Sequence, residues 1–174
     1  MIISLIGFMA SGKTTVGKEL ASSLDYEFID LDQYIEDVTG MKVQEIFKQK
    51  GENHFRFLEK IFLKKLLRQY DELVISPGGG IVLDKENIKL LNDKTVSFLL
   101  QARAETILKR IDDISKRPLL DQDNPKKSII DLLDKRGKYY DQFSNVIETD
   151  QKNPEQIVEE ILNKLESLQW KRLI

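Results

Sequence analysis

The chain has 174 residues, 41% hydrophobic and 32% charged, with a formal net charge of −2. That length buries one sizeable core, and the composition is that of a globular chain, neither disordered nor membrane-spanning. The charge argues against an electrostatic nucleic-acid binder, whose footprint is strongly basic, and the absence of cysteine excludes disulfides and thiolate chemistry. The first residues carry no basic leader, and the apolar run 2–6 is too short for a signal peptide or a span. We therefore expect one cytoplasmic, monomeric domain over residues 1–174, with no membrane or nucleic-acid partner.

Residues 2–6 read as a strand, and Gly7-Phe8-Met9-Ala10-Ser11-Gly12-Lys13-Thr14 follows with the spacing G-x-x-x-x-G-K-[ST]. The glycines let successive backbone N–H groups curl around phosphate oxygens at the positive end of the next helix. Lys13 then reaches the outer phosphates. Thr14 is placed to put its hydroxyl on Mg²⁺, a hard ion that prefers oxygen and keeps several waters. Val16, Leu20 and Leu24 recur at helical spacing, which predicts a helix over 14–24 that ends at Asp25. Residues 26–32 alternate as a strand, and the period of two sets Asp30 and Asp32 on one side at its carboxyl end. In an open α/β sheet that edge is where ligands sit.

Residues 32–50 carry helical spacing interrupted at Thr39-Gly40, a helical pair. A further helix follows Gly51, with Phe55, Leu58, Phe62 and Leu66 along one face. Spacing alone makes the neighbouring Arg56 a solvated or snorkelling side chain, and His54, the one histidine of the sequence, takes no role. A strand over 73–76 runs into Pro77-Gly78-Gly79-Gly80. Three successive glycines are costly in chain entropy, a cost that makes sense where backbone approaches a ligand; a plain flexible turn is the alternative. Strands over 95–100 and 146–149, helices over 104–114 and 127–143, and a last helix after Pro154 complete the alternation. That last helix buries Ile157, Ile161, Leu165 and Leu168, with Trp170 packing near its end. Strands alternating with helices predict a mostly parallel sheet covered on both faces.

Residues 112–125 are polar, proline-punctuated and cationic at Lys116 and Arg117, a mobile loop. Behind a P-loop, such a segment is a lid that excludes water and carries an arginine to the transferred phosphoryl. Arg136 falls in register with Ile129, Leu133, Tyr140 and Phe143. A guanidinium aimed at an apolar face needs an anion, and either a ligand or an internal salt bridge supplies one.

Together these residues resemble the shikimate kinases, from the P-loop to Pro154. The resemblance is carried by the P-loop, Asp30-x-Asp32, Gly51-Glu52-x-x-Phe55-Arg56-x-x-Glu59, Gly78-Gly79-Gly80, Arg117-Pro118-Leu119-Leu120, and Arg136-x-x-x-Tyr140 or its neighbour Tyr139. It implies a three-layer α/β/α fold of the nucleoside-monophosphate-kinase type, with a five-stranded parallel sheet, acceptor-binding helices over residues 33–62 and a lid over residues 111–125. It implies the reaction as well: the γ-phosphoryl of ATP passes to the 3-hydroxyl of shikimate, a step toward chorismate and the aromatic amino acids. By the same resemblance Gly7, Ala10, Ser11, Gly12, Lys13, Thr14 and Thr15 hold the phosphates, Arg110 and Asn153-Pro154 contact the adenine, and Thr14 and Asp30 serve Mg²⁺. Asp32 orients or deprotonates the attacking hydroxyl, Gly78, Gly79 and Gly80 approach the ring, and Arg56, supported by Glu59, joins Arg136 on the carboxylate. Lys13 and Arg117 stabilise the charge of the moving phosphoryl.

Two positions depart from the pattern: Ala10 stands where the family usually has glycine, and Gly137 lies inside a helix at a cost of about 1 kcal/mol relative to alanine. A nucleoside monophosphate kinase would want more arginines for its acceptor phosphate. Gluconate kinase or another small polyol kinase is the nearer rival, because it too sets an aspartate on a hydroxyl; the Arg56 and Arg136 pair and the triple glycine favour shikimate. A GTPase would need N-K-x-D, and Asn163-Lys164-Leu165-Glu166 ends in glutamate. A catalytically dead nucleotide-binding module would not need Lys13, Asp32 and Arg117, which are all present.

Overall fold

The computed structural model describes residues 1–171, apart from the side chains of Lys116 and residues 169–171. Within them β1 (Ile2–Gly7), β2 (Glu27–Asp30), β3 (Leu73–Ser76), β4 (Val96–Gln101) and β5 (Asn145–Glu148) form a parallel sheet of order β2-β3-β1-β4-β5. The helices are α1 (Lys13–Leu24), α2 (Leu31–Thr39), α3 (Val43–Lys50), α4 (Glu52–Gln69), α5 (Lys85–Lys94), α6 (Ala104–Arg110), α7 (Pro125–Tyr140) and α8 (Pro154–Lys171). Side chains on β1 alternate between two cores, as the strand period requires. Ile2 and Ile6 pack with Leu31, Phe55, Leu63 and Tyr140 on one face. Ile3 and Leu5 pack with Val16, Leu20, Ile157 and Ile161 on the other. The three-layer arrangement expected from the alternating pattern is present.

Register brings the loops to one edge. Gly7 lies beside Leu100 and Asp30 beside Ser76, so the loops after β1, β2 and β3 leave the sheet together at its carboxyl end. The chain from β3 to β4 crosses from one side of β1 to the other, and such a reversal opens a crevice there. A third cluster of Phe8, Ala102, Ile107, Leu120 and Ile129 roofs this edge. Leu120 is buried in it, and a 3-10 turn at Ile114–Lys116 shapes the segment before Arg117.

Several elements differ from the sequence pattern. The strand predicted over 26–32 stops at Asp30, because the Asp30 carboxylate accepts from the Asp32 and Gln33 backbone N–H groups at 3.1 and 3.4 Å and caps α2. Asp32 therefore stands on the first turn of a helix, not on a strand. Helix α6 ends at Arg110, short of residue 114. Helix α7 starts at Pro125, behind an Asn124 cap, and ends at Tyr140. Helix α5 has no counterpart among the predicted elements; Asp84 caps it through the Glu86 N–H at 2.8 Å. The packing expected of Trp170 lies outside the described residues. No helix among the described residues is long and apolar enough to cross a membrane.

Candidate active site

The β1–α1 loop turns on Gly12, whose φ of 102° an L side chain rarely adopts. Ala10 also sits at positive φ, 57°, a region that costs an L residue roughly 1–2 kcal/mol and glycine nothing. That explains why glycine suits this position. Lys13 is 8% exposed, and its Nζ donates to the Gly7 and Phe8 carbonyls at 3.0 and 2.9 Å. Burial lowers its pKa to about 8, although Asp32 and Asp30 pull it upward. The Thr14 hydroxyl donates to Asp30 Oδ2 at 2.7 Å.

A cleft of about 470 Å³ opens beside the loop, lined by Gly12 to Val16, Arg110, Arg117, Lys152 and Pro154. Arg110 is fixed there by backbone and hydroxyl acceptors, Thr149 O at 2.7 Å, Thr149 Oγ1 at 3.0 Å and Ser11 O at 3.4 Å. A second cleft of about 540 Å³ holds Lys13, Thr14, Asp30, Asp32, Gly78, Gly79 and Arg117. A third, of about 310 Å³, continues past Asp32 and the glycines to Arg56, Phe47, Pro118, Leu119 and Arg136. Arg117 borders all three.

Each glycine of the triple has its own neighbour to accommodate. At Gly78 a Cβ would stand 2.6 Å from Asp32 Oδ1 and 2.7 Å from Glu59 Oε1; at Gly79, 3.1 Å from Met9 N and 3.2 Å from Gly7 O; at Gly80, 2.3 Å from Arg56 Nη2. The loop after β3 is thus a backbone wall pressed against the P-loop, two carboxylates and a guanidinium. A flexible turn does not describe it.

Burial dominates the electrostatics. It raises Asp32 to about 6, with Asp30 pushing the same way and Lys13, Arg56 and Arg117 opposing. It raises the fully buried Glu59 to about 7 against the pull of Arg56. Arg56, expected to be solvated, is instead largely covered: its side chain is 19% exposed, bonded to Glu59 Oε2 through Nη1 and to Glu52 Oε1 at 3.1 and 3.0 Å, and stacked near Phe47 and Phe55. Spacing concealed this because the decisive partner, Glu59, is buried one turn further along α4. Arg136 is 3% exposed, forms no ion pair among the described residues, and meets the Gly79 carbonyl at 3.2 Å and the Phe8 ring at 5.4 Å. An internal salt bridge therefore does not account for it.

The predicted residues Lys13, Thr14, Asp30, Asp32, Arg56, Gly78, Gly79, Gly80, Arg117 and Arg136 converge on these connected clefts, with Arg110 and Pro154 on the far side of the P-loop. Sequence reasoning missed the lining residues Met9, Glu36, Val43 and Phe47, and Lys152 of the first cleft. Val43 and Phe47 read simply as one apolar face of a helix. Their i, i+4 spacing opposite Arg56 was the available signal.

Comparison with known proteins identifies the family. A family model described as shikimate kinase matches residues 9–166. The chain belongs to the shikimate kinase family. A shikimate kinase of Thermodesulfovibrio yellowstonii is 42% identical over 166 residues, covering 95% of each chain. Among solved structures, a shikimate kinase from Acinetobacter baumannii in complex with shikimate superposes with a TM-score of 0.91 at 35% identity, covering 95% of this chain and 93% of that one. A gluconokinase from Sinorhizobium meliloti 1021 reaches 0.57 at 17% identity, covering 95% and 91%, and shares the fold alone.

Proposed function

We propose that this chain transfers the γ-phosphoryl of ATP to the 3-hydroxyl of shikimate, giving shikimate 3-phosphate and ADP. The observation that carries the acceptor is Arg136: a buried guanidinium with no ion pair among the described residues, lining one pocket with Arg56 and Asp32. A buried cation without an anion is costly. A planar carboxylate, gripped by two guanidinium forks, removes that cost with directional charge-assisted bonds. A neutral polyol would leave Arg136 uncompensated, and a phosphate acceptor would leave the Asp32 and Glu59 carboxylates facing a further anion.

The residues around the P-loop fit a magnesium nucleotide. Ser11 Oγ is buried without a hydrogen-bond partner in the loop, and Thr14 presents its hydroxyl beside Asp30 at the same edge. Thr14 would ligate Mg²⁺ directly and Asp30 would hold its water shell, and the ion would neutralise charge on the nucleotide phosphates. Lys13, folded on the Gly7 and Phe8 carbonyls, would turn its ammonium to the outer phosphates. Arg110 and Pro154 line the first cleft and would flank the base, and Arg117, shared by all three clefts, would meet the phosphoryl as it crosses. Asp32, raised toward neutrality, accepts a hydrogen bond from the attacking hydroxyl and takes its proton as the bond to phosphorus forms. Soluble single-chain operation in the cytoplasm is part of the same proposal. A coupled ADP-release assay with shikimate, gluconate and AMP as acceptors tests it. Turnover with shikimate and little with the others is expected, and turnover with gluconate or AMP alone would overturn the reading.

A further inference from the structure

The Gly79 carbonyl accepts from two side chains of α7 at once, the Tyr140 hydroxyl at 2.8 Å and Arg136 Nη1 at 3.2 Å. The two donors are one helical turn apart, so they project from the same face. Gly79 in turn abuts the P-loop at Met9 N and Gly7 O. One carbonyl therefore joins the helix that carries the carboxylate-gripping arginine, the glycine wall and the phosphate loop. The Gly79–Gly80 peptide is planar and trans, so the Gly80 N–H points opposite to the Gly79 carbonyl. Whatever holds the carbonyl also aims that N–H and sets Gly80, against which the Arg56 guanidinium rests.

We infer that Tyr140 is a positioning residue for the acceptor. Its hydroxyl keeps the Gly79–Gly80 peptide in place while Arg136 engages the acceptor carboxylate. The inference rests on the acceptor reading above. Arg136 cannot serve fully as both anchor and hand, because the bond it makes to Gly79 competes with a charged partner that binds more strongly. The neutral Tyr140 hydroxyl faces no such competition from the acceptor carboxylate. It is 7% exposed within the core formed with Phe143 and Leu63, and burial pushes its hydroxyl up to about 12, so it remains a proton donor throughout the working range. The ring supplies the packing and the oxygen supplies the hold, and replacing tyrosine by phenylalanine separates the two.

Tyr140→Phe is the test, read by steady-state kinetics and by ¹H–¹⁵N spectra of the unliganded protein. The expected result is a rise in shikimate KM of about three- to tenfold, the worth of one neutral hydrogen bond, with ATP KM within about twofold of wild type. The Gly80 amide ¹⁵N signal shifts as well, because the carbonyl preceding it loses a donor. Unchanged shikimate KM, or an equal rise in both KM values, would overturn the inference by reducing Tyr140 to a packing residue. An unmoved Gly80 signal would do the same. A wild-type chain that leaves shikimate unphosphorylated would instead remove the acceptor reading itself, a failure visible before any variant is made.

Discussion

Gly80→Ala displaces one guanidinium without mutating it. The added methyl carbon would stand 2.3 Å from Arg56 Nη2 and 2.4 Å from both Nη1 and Cζ. Ordinary contact needs about 3.5 Å, so the guanidinium must retreat by roughly 1 Å. It cannot do so freely, because Glu59 and Glu52 hold it from two sides. Gly80 itself has φ −97° and ψ −1°, which alanine adopts without strain, so the backbone gives no reason for misfolding. Losing a charge-assisted bond is worth about 1.5–3 kcal/mol, or roughly 10- to 150-fold, and a 1 Å misplacement can cost about 10²-fold. We expect kcat/KM for shikimate to fall by about 10- to 100-fold, with ATP KM within about twofold and a thermal midpoint lowered by about 2–4 °C as the pair with Glu59 is strained. A coupled assay varying each substrate in turn, beside a melting curve, measures all three. Wild-type shikimate kinetics, or ATP KM rising as much as shikimate KM, would refute the placement of Arg56 at the acceptor.

Two other glycines should respond in opposite directions. At Gly137 nothing lies within 4 Å of a new Cβ, so Gly137→Ala should add about 1 kcal/mol and raise the melting temperature by about 2–4 °C; at Gly17 the Cβ would lie 2.3 Å from the Phe28 ring, and Gly17→Ala should cost about 1–3 kcal/mol in urea unfolding. Reversal of either sign would contradict the packing between α1 and β2 or the openness of α7. Glu59 supplies a pH prediction. Its carboxyl is raised from 4.5 to about 7 in the folded chain, so the folded state binds the extra proton between those values, and the stability it lends is complete below about 4.5 and lost as pH rises through about 7. Relative to Glu59→Gln, the wild type should lose up to about 1.4 kcal/mol per pH unit across that window. A wild type that gains on the variant as pH rises would mean that the ionised carboxylate on Arg56 outweighs its burial.

The nucleotide half was legible because its chemistry is local. Gly7 to Thr14 carry their own spacing, and strand before and helix after complete it. Arg136 was legible from register, since a cation on an apolar stripe asks for an anion. Arg56 was legible only through the family resemblance, because a helical repeat cannot reveal that Glu59 is buried beside it while Glu52 closes the other side. Asp32 was placed on the correct edge for the wrong reason. Alternation suggested a strand, whereas the Asp30 cap starts a helix two residues earlier and turns Asp32 into the cleft. The role of Gly79 depends on partners from β1 and α7, 57 and 61 residues away for Arg136 and Tyr140, and no local pattern encodes such a meeting.

The central claim is that one hydroxyl of one acid receives the phosphoryl. Proton-coupled ³¹P spectroscopy of the product formed from ATP and shikimate tests it most directly. The account predicts a single phosphomonoester whose phosphorus couples to the proton on carbon 3. A phosphoryl on another hydroxyl, or free phosphate accumulating without an ester, would contradict it.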